Sequence, residues 1–263
     1  MANILLAGDS WGIGVFSNQG DVYAPIGKGM HSILEELGHN VINISKRGAA
    51  NTLMLDRLNG KWHDTGSCLF GADINDKIKF DLKLIDHVIF LQTDIFRERH
   101  YYAKKYPEDP TSQWKTLEQS FIISLSEYNS LDQIIDEYFD KFYTELNTFA
   151  VKHNKKILML GCWGQLHPSI EKHSNLIAVV PSATKLLIPE LKRDVYMSDP
   201  EWYPLLATNQ PFMAKVGTKF KELTIDVENK LALIYKNWND VHPPIEGYQK
   251  LVNAILPYLD KKY

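Results

Sequence analysis

A chain of 263 residues, 44% hydrophobic and 23% charged, has the composition of an ordinary globular protein and can bury a sizeable core, which excludes a disordered or fibrous class. Its formal net charge of −3 excludes nucleic acid as the main partner, because phosphate binding rests on clustered Lys and Arg. Two cysteines, Cys68 and Cys162, cannot build a disulfide framework and show no metal-type spacing. The amino-terminal apolar run of about five residues is too short for a signal peptide or a membrane span. The expectation is therefore a soluble, cytoplasmic protein without cofactor or metal, with incorporation into a larger particle left open.

The first apolar run, Asn3 to Ala7, reads as a buried strand and stops at Gly8-Asp9-Ser10-Trp11-Gly12. A helix over Ile26 to Leu37 ends at Gly38, a natural carboxyl cap. A second strand, Asn40 to Ile44, leads through Lys46-Arg47-Gly48-Ala49-Ala50-Asn51 into a helix from Asn51 to Leu58. The third strand, His87 to Leu91, runs into Gln92-Thr93-Asp94. A long helix follows over Ser130 to His153, with Ile134, Ile135, Tyr138, Phe139, Phe142, Leu146 and Phe149 recurring at three- to four-residue steps. Lys156 to Leu160 and the weaker Leu176 to Val180 complete the strands, and Pro244 opens a final helix bearing Tyr248, Leu251, Ile255 and Leu259 on one face.

Near-continuous Val, Ile and Leu in these runs is the mark of parallel strands covered on both faces. Their alternation with helices predicts one domain spanning 1–263, a three-layer α/β/α sandwich around a parallel sheet of about five strands. Three stretches break the repeat: Lys61 to Leu84, Phe96 to Asn129 and Pro189 to Pro211. They are rich in aromatics, among them Trp62, Tyr101, Tyr102, Tyr106, Trp114, Trp202 and Tyr203, and long connections of this kind tend to be lids or binding loops.

Ser10 falls at the carboxyl end of the first strand, where open α/β sheets place ligands and reactive groups, and it is a candidate nucleophile. A serine needs a base to attack a carbonyl at neutral pH, and Asn239-Asp240-Val241-His242-Pro243-Pro244 offers an imidazole and a carboxylate just before the last helix. Blander roles exist for the same residues. Ser10 also suits a helix cap, Asp9 a brace for its turn, Gly48 a turn glycine and Asn51 a cap for the helix it begins. The loop aromatics also suit local core.

The Gly-x-Ser-x-Gly pattern is shared with the nucleophile elbow of α/β-hydrolases, but there the serine follows a central strand, not the first. A serine block directly after strand one, followed in order by the blocks at Lys46–Asn51, Leu91–Asp94 and Asp240–Pro243, resembles the SGNH (GDSL-type) hydrolases across nearly the whole chain. The resemblance implies the flavodoxin-like SGNH hydrolase fold and a serine esterase acting on a small acyl ester. Together with the loop aromatics, it suggests an O-acetyl group on a carbohydrate. It implies Ser10 as nucleophile, His242 as general base and an oxyanion hole built from the Ser10 N–H, the Gly48 N–H and a side chain of the third block. Two positions depart from the family pattern. Thr93 stands where an asparagine amide belongs, its hydroxyl offering the oxyanion hole one donor in place of that amide, with Leu91 in place of a glycine. Asn239 stands three residues before His242, where the orienting aspartate belongs, so that role falls to Asn239 or to Asp240. Trp11, Asn51 and Asp94, inside the same blocks, are candidate substrate contacts. The departures keep a second reading in view, a catalytically weakened protein that binds glycan or a protein partner. A flavodoxin-like nucleotide binder fits the sheet pattern, but the first loop lacks a phosphate-cradling glycine series.

Overall fold

The computed structural model describes residues 1–14, 16–19, 22–25, 29–46, 49–62, 78–93, 131–162, 165–187, 189, 243 and 245–261. Five strands, β1 (Asn3–Ala7), β4 (Asn40–Asn43), β5 (His87–Gln92), β6 (Ile157–Gly161) and β7 (Leu176–Val180), form one parallel sheet in the order β4-β1-β5-β6-β7. Each of these strands was legible as an apolar run, and the observed boundaries differ from the expected ones by a residue at most.

The alternation of side chains along each strand divides the core in two. Leu5, Val88, Phe90, Ile157 and Met159 point to a layer closed by α3 (Asn51–Leu58) and α4 (Leu131–Lys152). Ile4, Leu6, Ile89, Leu91, Leu158 and Leu160 point to the other, closed by α2 (Met30–Glu36), α5 (Ala183–Leu187) and α6 (Ile245–Leu259). The result is the expected three-layer α/β/α sandwich. Full burial of each of these side chains contributes about 1.5–3 kcal/mol, so both layers are needed to offset the entropy of ordering the sheet.

The helices end where their residues dictate. Gly38, at φ +88°, closes α2: its N–H donates to Glu35 O and the His39 N–H to Leu34 O, the double bond of a Schellman cap. The helix α6 runs antiparallel to the strands, because the His87 ring at the start of β5 donates to the backbone of Leu259 at its far end. A helix of 15 residues is about 22 Å long, enough to span the sheet, so its first residue, Ile245, lies toward the carboxyl edge.

One element was not expected. Between α1 (Ser10–Ile13) and α2 the chain makes an antiparallel pair, β2 (Phe16–Gln19) with β3 (Val22–Pro25), separate from the main sheet. Gly14 and Gly29 bracket this excursion and touch: a β-carbon on Gly29 would lie 2.5 Å from the Gly14 Cα. Among the long connections, Leu82–Leu84 forms a short 3₁₀ turn. Phe96 to Asn129 lies outside the described residues, as does all of Pro189 to Pro211 except Pro189 itself. Among the described residues no helix is long and apolar enough to cross a membrane.

Candidate active site at the sheet switch point

In the strand order β4-β1-β5-β6-β7 the chain leaves β1 toward one edge and returns to pair β5 on its other side. The crevice beyond the carboxyl ends of β1 and β5 is thus the switch point, where open α/β sheets bind ligands. Ser10 opens α1 on one side of it and Thr93 follows β5 on the other. The helix cap is Asp9 rather than Ser10, with Asp9 Oδ1 accepting the Trp11 N–H at 3.0 Å. Asp9 therefore braces the turn and leaves Ser10 as the first helical residue, 8% exposed.

The walls fit tightly. A β-carbon on Gly8 would lie 2.5 Å from Leu91 Cβ, so Leu91 packs directly over Gly8. A β-carbon on Gly12 would overlap Ser45 Oγ and lie 2.7 Å from its Cβ, so the start of α1 can press against the segment after β4 only with glycine there. Asn43 Nδ2 donates to Gly12 O at 2.7 Å, and the Lys46 N–H donates to Gly8 O at 2.9 Å.

Across the crevice, Thr93 Oγ1 donates to Asp9 Oδ2 at 3.2 Å. A hydroxyl carries one proton, so Thr93 has spent on Asp9 the one donor expected of it at an oxyanion. Asn51 does not cap α3, whose cap position holds Ala50 with no side-chain bond. Its amide instead faces Thr93: Oδ1 accepts the Thr93 N–H at 2.8 Å, and Nδ2 donates to Thr93 O at 3.0 Å and to the Tyr138 hydroxyl at 3.2 Å. Both amide protons are used and the residue is fully buried. Trp11 packs in the α2/α6 layer at 4% exposure. Gly48, Asp94, Asn239, Asp240 and His242 lie outside the described residues.

A second network, buried at Tyr143 and Gln92 and reaching the surface at Asp136, supports the end of β5 and was not suggested by the sequence. The Tyr143 hydroxyl donates to Gln92 Oε1 at 2.6 Å and accepts the His167 N–H at 3.0 Å. His167 Nδ1 caps the following 3₁₀ turn by accepting the Ser169 N–H, which leaves the proton on Nε2 to meet Asp136 Oδ1 at 2.9 Å. Burial pushes the Tyr143 phenol well above its ordinary range. Cys162, just past β6, is likewise pushed up by burial and by the charge of Asp9, which keeps it a protonated, unreactive thiol. Among the described residues no cluster of His, Cys, Asp and Glu is arranged to hold a metal ion.

No family model matches the chain, and no curated protein matches it. Among solved structures, the chain is similar to an α/β hydrolase enzyme from the metagenome of Lake Arreo, Spain, at 12% identity and a TM-score of 0.38, covering 98% of this chain and 94% of that one. It is similar to TesA at 13% identity and a TM-score of 0.36, covering 98% of both chains. An acetylxylan esterase from Geobacillus stearothermophilus gives 13% identity and a TM-score of 0.36, over 99% of this chain and 94% of that one.

Proposed function

We propose that the protein is a serine esterase of the SGNH type, hydrolysing a small acyl ester such as an O-acetyl group on a carbohydrate. The observation that carries this reading is the position of Ser10, heading α1 at the carboxyl end of β1 beside the switch point. A further support is the direction of α6: the segment carrying Asn239, Asp240 and His242 precedes a helix that begins toward the same edge of the sheet. In this reading His242, oriented by Asn239 or Asp240, takes the Ser10 proton as Oγ bonds to the ester carbon. The ester C–O bond then breaks, and the alcohol leaves with the proton from His242. Water, deprotonated by the same imidazole, next splits the acyl-enzyme and restores Ser10. The Ser10 and Gly48 N–H groups support the oxyanion.

Labelling with a fluorophosphonate and turnover of 4-nitrophenyl acetate, each against Ser10→Ala, test the reading. Signal lost in the variant upholds it; equal signal in both proteins rejects it.

The Thr93–Asp9 bond favours a second reading, a binding protein of the same fold that has given up catalysis, because it occupies the hydroxyl standing where a third oxyanion donor belongs. That reading predicts glycan or protein binding that survives Ser10→Ala, and an acyl-enzyme seen by mass spectrometry eliminates it.

A further inference from the structure

Asn51 makes three hydrogen bonds, and two of them go to the two backbone polar groups of one residue, Thr93. Thr93 passes the constraint on, since its hydroxyl holds Asp9 Oδ2 while Asp9 Oδ1 holds the Trp11 N–H in the first turn of α1. Behind Asn51 stands Tyr138 of α4, stacked against Phe142 with ring centroids 6.1 Å apart. A continuous chain of bonds thus joins α4, α3, the end of β5 and the turn bearing Ser10. Asp9, Asn51, Thr93 and Tyr138 are all at most 3% exposed, so little water competes for these bonds.

We infer that Asn51, backed by Tyr138, is a positioning residue that sets Ser10 for acyl transfer by locking Thr93 and, through it, the carboxylate of Asp9. The inference rests on the reading of Ser10 as nucleophile. Asn51 has no amide proton left for a ligand, so its influence passes through Thr93. The effect is on placement, where an error of about 1 Å in a reacting group costs about a hundredfold in rate.

Asn51→Asp keeps the shape and still accepts the Thr93 N–H, but it sets an oxygen against Thr93 O where a donor stood. The test compares fluorophosphonate labelling rates of the whole protein, wild type against Asn51→Asp and Tyr138→Phe, with kcat and KM for 4-nitrophenyl acetate and thermal unfolding alongside. The expected result for Asn51→Asp is labelling and kcat lowered about ten- to a hundredfold, KM within about twofold, and a cooperative unfolding transition retained. Tyr138→Phe, which removes only one partner of the amide, lowers both rates several-fold. A folded Asn51→Asp that labels at the wild-type rate overturns the inference and leaves the esterase reading intact. A wild type that never labels overturns that reading and the inference with it. Should Asn51→Asp fail to fold, Tyr138→Phe decides: reduced labelling upholds the inference and wild-type labelling overturns it.

Discussion

Thr93 Oγ1 donates to Asp9 Oδ2 at 3.2 Å, joining residues 84 positions apart and tying the end of β5 to the turn after β1. The bond decides what Thr93→Val does. Loss of a working oxyanion donor costs about 10²–10³ in turnover with stability kept, whereas loss of a positioning brace lowers turnover and stability together. The hydroxyl is on Asp9, the link through which Asn51 acts, so Thr93→Val is expected to lower kcat on 4-nitrophenyl acetate about ten- to a hundredfold, as Asn51→Asp does. It should destabilise the fold by about 1–3 kcal/mol, because a buried carboxylate oxygen loses a donor. Kinetics and thermal unfolding of the one variant separate the two outcomes.

Tyr143 is fully buried and bonds on both sides of its hydroxyl. Tyr143→Phe leaves Gln92 Oε1 without this donor and the His167 N–H without this acceptor. A loss of about 1–3 kcal/mol is expected in denaturant unfolding, with the midpoint lowered and the slope unchanged.

The contact between Gly12 and Ser45 predicts a coupled pair. Gly12→Ala drives a methyl into Ser45 and is expected to cost about 1–3 kcal/mol through overpacking. Removing the obstructing side chain in Gly12→Ala/Ser45→Gly should recover part of that loss, measured as a double-mutant cycle in thermal unfolding.

Stability should fall with acid through the histidines. Burial lowers the pKa of His87, an effect that His39 and Lys155 add to and that its bond to Leu259 and the charge of Asp86 only partly oppose; burial also lowers His31. With folded values below the unfolded 6.5, the unfolded chain binds more protons, so the stabilisation present above about pH 6.5 declines as the pH drops below it. Thermal midpoints between pH 7.5 and 5.5 are expected to fall, and His87→Gln should flatten the slope.

The strands and the long helices were legible because burial on both faces leaves a run such as Ile4-Leu5-Leu6 or Ile157-Leu158-Met159-Leu160, which local periodicity exposes. The β2–β3 pair was missed because Ser17-Asn18-Gln19 carries no strand-like alternation; Gly20-Asp21 between the two strands was the available signal. Ser10 was singled out from its block, and the structure puts it at the carboxyl end of β1. The partners of Asn51 and Thr93 were beyond reach, since a cap at a helix start is a local motif while a side chain spanning 42 positions to Thr93 is set only by the sheet order. The same holds for Tyr143, whose place among Phe139, Phe142 and Leu146 reads as core until Gln92 is brought beneath it.

The touching backbones of Gly14 and Gly29 have a consequence for how the molecule tolerates change. Because the backbones of Gly14 and Gly29 meet, the β2–β3 pair is a graft on a closed scaffold, and shortening it, lengthening it or exchanging it wholesale is expected to leave these two junctions in register. The β2–β3 pair is thus free to diversify while the five-stranded sheet stays as it is.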